Sequence, residues 1–250
     1  MLINLRFSGW HRFKATNPIT LLYQDGTLLN DDITNMSSLQ LPEGRSMMRD
    51  KRITRENLNG LVVGRTGMSR VIYDLLGEGS EWAQDPPYYA TIERFETHPD
   101  FDLSETTIQD WRGWSHTRTV AFYHDGLIIV HDRATGAPEM QARLIWNLPG
   151  NVQPLDQGYA LRQSGSPAEM RLLFVGSNME SAKQRIDALG AHRSEISVDA
   201  QQGKLNTVTV FLLRDWVGAS TQITDVDGTA NLVVHKGERN TMFPLVNTQP

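Results

Sequence analysis

Short runs of β-branched, aromatic and aliphatic residues recur along the chain, broken by turn residues at intervals too short for helices. Three times a run is joined to the next by Asp-Gly, a pair whose readiness for positive φ marks a hairpin turn. Asp25-Gly26 joins Ile19–Gln24 to Thr27–Asp32, Asp125-Gly126 joins Arg118–His124 to Leu127–Arg133, and Asp227-Gly228 joins Thr221–Val226 to Thr229–Val234. With a two-residue turn, the middle hairpin is expected to set Phe122 opposite Ile129, Val120 opposite His131, Tyr123 opposite Ile128 and Ala121 opposite Val130. Both of its faces are apolar near the turn, which predicts a hairpin buried between layers. The chain opens on a strand, and further strands are predicted at Leu61–Val63, Val71–Leu76, Tyr89–Phe95, Leu103–Asp110, Ala142–Leu148, Gly158–Arg162, Met170–Val175, Glu195–Asp199 and Asn206–Leu213. One segment departs from the pattern. Good helix formers over Ser181–Leu189, preceded by Ser177 and closed by Gly190, predict a single short helix.

Many strands, dispersed Gly and Pro, and one helix near 181–189 predict an all-β fold, a large antiparallel β-sandwich. Residues 1–250 read as one extended unit, with a sub-boundary marked at most by Pro149–Pro154; the longest loops are expected at Thr34–Arg45 and Gly77–Pro87. A net charge of −5, from 24 Lys and Arg against 29 Asp and Glu, argues against nucleic acid or an anionic membrane as partner. The absence of cysteine excludes disulfides, thiolate-held zinc and a Cys nucleophile. Apolar runs are too short for a membrane-spanning helix, and the first residues lack the basic start and apolar stretch of a signal peptide, leaving the compartment unread.

Four motifs add chemistry. Ser8-Gly9-Trp10-His11-Arg12-Phe13-Lys14-Ala15-Thr16-Asn17, then Leu28-Leu29-Asn30-Asp31, Arg52-Ile53-Thr54-Arg55-Glu56-Asn57-Leu58-Asn59, and the pair His116-Thr117-Arg118-Thr119 with Val130-His131-Asp132-Arg133 occur in that order. Together they resemble the β-sandwich region of heparinase II/III-like polysaccharide lyases: its Gly-Gly-His-x-His-x-Asp opening, its Leu-Leu-Val-Asp, its Arg-Ser-Thr-Arg-Ala-His-Asn, and its His-x-Arg-Thr hairpin ending in Val-Asp-Arg. The resemblance covers about the first 150 residues. It implies β-elimination on an acidic, uronate-containing polysaccharide, completed by an upstream helical toroid that these residues do not contain. Nothing in them has the periodicity of a helical ring.

Residue by residue, the carry-over is partial. The His that reaches the lyase cleft in the family falls on His11. The family's metal ligands fall on Phe13, Asp31, and Asn57 or Leu58, of which only Asp31 can ligate, so no metal and no other cofactor is expected. Ala15 stands where the family has Asp, and Asn17 keeps the family's Asn. Eliminative cleavage needs the uronate carboxylate neutralised, the C5 proton removed and the leaving oxygen protonated. His11 suits the base or part of the clamp, with Asn17, Arg52 and Arg55 nearby if the strands assemble as the resemblance implies; alternatively His11 packs with Trp10 at a strand start. Trp10, Trp111 and Trp114, the last two flanking Arg112, suit sugar stacking, while indoles serve as often in a core. His116, His124 and His131 do not converge in the expected hairpin. Asp225-Val226-Asp227-Gly228 lacks the distal Glu of a calcium loop, and Gly64-Arg65-Thr66-Gly67 lacks the Lys and context of a phosphate loop. Two readings follow: the β part of a lyase, or a carbohydrate-binding or interaction sandwich whose active site has degenerated.

Overall fold

The computed structural model describes residues 2–5, 17–23, 27–30, 59–64, 90–149, 151–162, 168–176, 183–186 and 192–245. Strands β1 (Leu2–Leu5), β2 (Ile19–Tyr23), β3 (Thr27–Asn30) and β4 (Gly60–Val63) come first. A long meander follows: β5 (Thr91–Thr97), β6 (Phe101–Trp111), β7 (Trp114–Tyr123) and β8 (Leu127–Gly136). Then come β9 (Ala142–Pro149), β10 (Asn151–Leu155), β11 (Gly158–Arg162), β12 (Glu169–Val175), β13 (Lys183–Ile186), β14 (His192–Asp199) and β15 (Lys204–Leu213). After a 3-10 turn at Arg214–Trp216, the described chain ends with β16 (Ser220–Val226), β17 (Thr229–Lys236) and β18 (Arg239–Pro244).

Among the described residues all strand pairings are antiparallel and four sheets form. The principal sheet has eight strands in the order β10-β11-β12-β15-β8-β7-β6-β5; smaller sheets run β13-β14-β9-β4, β1-β2-β3 and β16-β17-β18. Strand alternation sends successive residues of the principal sheet into two different cores. Val120, Ile128, Val130, Leu172 and Phe211 pack with Leu144, Trp146, Leu148, Ile196 and Ile19 on one face. Ala121, Leu127, Ile129, Leu173, Val210 and Leu212 pack with Trp216, Leu232, Val234 and Phe243 on the other. The all-β sandwich is therefore a broad sheet clad on both sides, and β8 is buried on both faces from Leu127 to Asp132.

Two expectations change. Over the described part of the predicted helix, Lys183–Ile186 is strand β13, paired from Lys183↔Glu195 to Ile186↔His192; a sheet edge supplies partners that outweigh weak local helix preference. The middle hairpin is one residue out of the predicted register: Phe122 faces Ile128, Ala121 faces Ile129, Val120 faces Val130 and Thr119 faces His131. Its loop has three residues, because His124 leaves the ladder to bond Asp100 through its N–H, and Gly126, at φ 118°, donates its N–H to Tyr123. Strand β9 ends at Pro149, and Asn151–Leu155 pairs β11. The Asp227-Gly228 hairpin has its two-residue turn, with φ 53° and 77° and Val226 opposite Thr229. The predicted strand Val71–Leu76, the loops at 34–45 and 77–87 and the Asp25-Gly26 turn lie outside the described residues.

Candidate functional site

Alternation along β7 and β8 places His116, Arg118 and Asp132 on the face that packs against Trp146, where apolar residues are the rule. All three are buried, Arg118 at 1% exposure and Asp132 at 0%. An isolated charge there would be costly, so each must be paired and hydrogen-bonded. Arg118 Nε donates to Asp132 Oδ1 over 2.7 Å and Nη2 to Oδ2 over 3.2 Å. His116 Nε2 donates to the same Oδ1 at 2.7 Å. Burial pushes the Asp132 carboxyl upward, but the Arg118 charge and the His116 and Arg118 hydrogen bonds together outweigh it and bring it down to about 2. Burial pushes His116 downward against the pull of Asp132, which favours the neutral ring with its proton on Nε2, and the buried Nδ1 has no partner among the described residues.

The rest of the guanidinium reaches other segments. Nη1 donates to the backbone carbonyls of Asn17 and Asn59, at 2.9 Å each, and the guanidinium carbon lies 5.2 Å from the centre of the Trp146 ring. Asn59 is a junction in its own right. Its Nδ2 donates to Ile19 O at 3.0 Å, its Oδ1 accepts from Asn147 N at 2.7 Å, and its carbonyl also accepts Ile19 N at 3.3 Å. One asparagine thus ties β2 to β9, and Arg118 ties both to β7. Asn17 adopts φ 70°, a conformation Asn tolerates better than most residues. The Thr106 hydroxyl donates to its Oδ1, which turns Nδ2 the other way, where that buried amide meets no acceptor among the described residues.

Three of the four motifs therefore meet in one buried latch, through Asn17, Asn59, and Arg118 with His116 and Asp132. Of the residues proposed for chemistry, the latch takes in Asn17, 5% exposed. Trp10, His11, Phe13, Asp31, Arg52, Arg55, Asn57 and Leu58 lie outside the described residues. Trp111 and Trp114 sit in the core at 4% and 1% exposure, Trp114 Nε1 donating to Met140 O at 2.8 Å; as placed, neither indole offers an open face. Sequence reasoning gave Arg118, Asp132 and Asn59 no role of their own. Their signal was present: Arg118 and Asp132 hold positions where alternation with Val120 and Val130 calls for an apolar residue.

The opposite face of β6–β8 carries a polar lane. Glu105 accepts from Thr119 at 2.7 Å and from Arg133 at 2.9 Å, and His131 Nε2 lies 2.7 Å from Asn206 Oδ1. His116 and His131 thus point to different faces and His124 sits at the turn; among the described residues no three His, Asp or Glu side chains come together to hold a metal.

No protein-family model and no curated protein matches the sequence. Solved structures do match. The heparinase III-BT4657 gene product superposes with TM-score 0.66 at 11% identity, covering 94% of this chain and 37% of that chain. Heparan sulfate lyase HepC from Pedobacter heparinus gives TM-score 0.65 at 13% identity, over 96% of this chain and 38% of that one. The crystal structure of heparinase III gives 0.64 at 14%, over 95% and 37%. The chain spans well under half the length of these structures. In its fold, this chain is a heparinase-like β region.

Proposed function

We propose that residues 1–250 act as the β part of a polysaccharide lyase that cleaves an acidic, uronate-containing polysaccharide by β-elimination, together with a helical domain outside this chain. The observation that carries this reading is the latch: the motif residues that resemble the lyase family are the ones that bind three segments of a heparinase-like fold into one buried network. Arg118 grips the carbonyls that end the His11-bearing stretch at Asn17 and the Arg52–Arg55-bearing stretch at Asn59. In this reading His11 takes the C5 proton or helps hold the carboxylate. Arg52 and Arg55 neutralise the uronate, Trp10 packs against the sugar, and the Asn17 amide, buried as placed, adds a donor once the stretch before it opens. Stacking on Trp111 or Trp114 requires the turn between them to open; quenching of their fluorescence by acidic oligosaccharides reads that directly.

The purified chain is expected to bind heparan sulfate or a related uronate polysaccharide in a salt-weakened manner and to release no unsaturated sugar, followed by ultraviolet absorbance. Release of unsaturated product by the chain alone overturns the need for a helical partner. Absence of binding to every uronate polysaccharide overturns the substrate class. A second reading, a binding or interaction module without catalysis, draws on Phe13, Ala15 and the missing His at Asn57–Leu58. It predicts glycan binding that His11→Ala leaves intact and no turnover even with the helical domain supplied.

A further inference from the structure

The principal sheet has two edges, and only one is blunted by proline. At β10, Pro154 sits opposite Tyr159 and lacks the N–H that an added strand would need. At the other edge no described strand pairs with β5 beyond β6: six of its seven residues are exposed, and Phe95 (64%) and Ile92 (51%) are among the most exposed large apolar side chains described. A register shift between Ile92 and Arg94 puts Ile92 opposite Thr106 and Phe95 opposite Ser104, so both project from the same face. The hydrogen bond from His98 N to Phe101 O sets the alternation of the β5–β6 hairpin. Counting back from it, the N–H and C=O of Phe95 point away from β6, toward the open edge.

We propose that β5 is a homodimer interface, two copies pairing antiparallel about a two-fold axis at Phe95. This register is favoured by charge. It sets Phe95 against Phe95 of the second copy, and Arg94 against Glu96 of the second copy, twice over. A slip of one residue toward the strand's start would oppose Glu93 to Glu96, a slip of two the same way would oppose Arg94 to Arg94, and a slip of two the other way would oppose Glu96 to Glu96. Arg94 and Glu96 already pair within one copy, at 2.5 and 2.8 Å, so the dimer extends an existing ion pair into a four-charge ladder. Each copy also brings Ile92 to the face that carries the paired Phe95 rings. The shift before Arg94 limits regular pairing to the Arg94–Thr97 half of the strand, which makes this a reversible dimer, weakened by salt.

Sedimentation over a range of concentrations tests it. The wild type is expected to dimerise; Phe95→Asp and Arg94→Glu should each weaken association by about tenfold or more, as for truncation of an interface anchor. The double variant Arg94→Glu/Glu96→Arg should restore it, because the charges again face their opposites. The chain has no cysteine, so Phe95→Cys gives a single thiol whose Cα would lie about 5.5 Å from its mate across a hydrogen-bonded pair, within disulfide reach. Oxidation should yield a covalent dimer. The three substituted positions lie on β5, Arg94 and Phe95 exposed and Glu96 half-buried, and circular dichroism reports whether each variant folds. A chain monomeric at every concentration, or a dimer indifferent to both Phe95→Asp and Arg94→Glu, overturns the proposal.

Discussion

Arg118 and Asp132 face each other across β7 and β8 with 2.7 Å between Nε and Oδ1, and neither side chain reaches solvent. Removing one partner leaves the other charge buried and unpaired, at a cost of about 3–5 kcal/mol. Arg118→Met and Asp132→Leu should each lower unfolding stability by that order in urea titrations. The double variant should cost less than the sum, since it strands no charge. A loss under about 1 kcal/mol for either single variant would mean that the latch does not hold the sandwich together.

The latch also fixes an acid response. Because Asp132 is held down at about 2, its contribution is present above the ordinary carboxylate range near 3.9 and is lost as pH falls from there through about 2. His116 acts earlier in an acid titration. Its folded pKa is lowered, chiefly by burial, so the unfolded chain takes up the proton first, and stability begins to fall as pH drops past about 6.5. Nuclear magnetic resonance should find the His116 ring neutral at that pH, where an ordinary histidine is half protonated. Half protonation of His116 there would contradict the assignment.

His124 should behave with the opposite sign. Its Nδ1 faces Pro99 O at 3.1 Å and its Nε2 faces Asp102 Oδ2 at 3.0 Å, two acceptors that only an imidazolium satisfies. The hydrogen bond to Asp102 is the main cause of its raised pKa. Its stabilisation is therefore complete below about pH 6.5 and disappears as pH rises through the folded value. The stability difference between wild type and His124→Asn should shrink as pH goes from 6 to 9; a difference that grows with pH would refute it.

Gly136 lies opposite Trp114, and a Cβ there would come within 2.3 Å of the indole ring. Gly136→Ala must displace a buried side chain anchored through Nε1 to Met140, which places the loss at about 1–3 kcal/mol. A shift in tryptophan emission should accompany the lower thermal midpoint. An alanine accepted without loss would show that the indole has room to move.

How far the sequence led can be traced to particular residues. Alternation and turn pairs are local signals, and they located β6, β8, β11, β12 and β15 to within a few residues. The Asp125-Gly126 turn misled by one residue because its length depends on His124 reaching Asp100 and Pro99, contacts with a neighbouring hairpin that local spacing does not encode. Lys183–Ile186 read as helix because its partner, His192–Glu195, lies across a connection. The latch was half legible. Its residues carried the family resemblance, yet the convergence of Asn17, Asn59 and Arg118 spans up to 101 positions, a distance over which only the folded sheets bring them together.

The most direct test joins this chain to the helical part of a heparinase III and follows unsaturated sugar released from heparan sulfate by ultraviolet absorbance. The account predicts product from the joined protein and none from the same protein carrying His11→Ala, while both bind the polysaccharide. Undiminished product with His11→Ala, or product from the chain by itself, would contradict it.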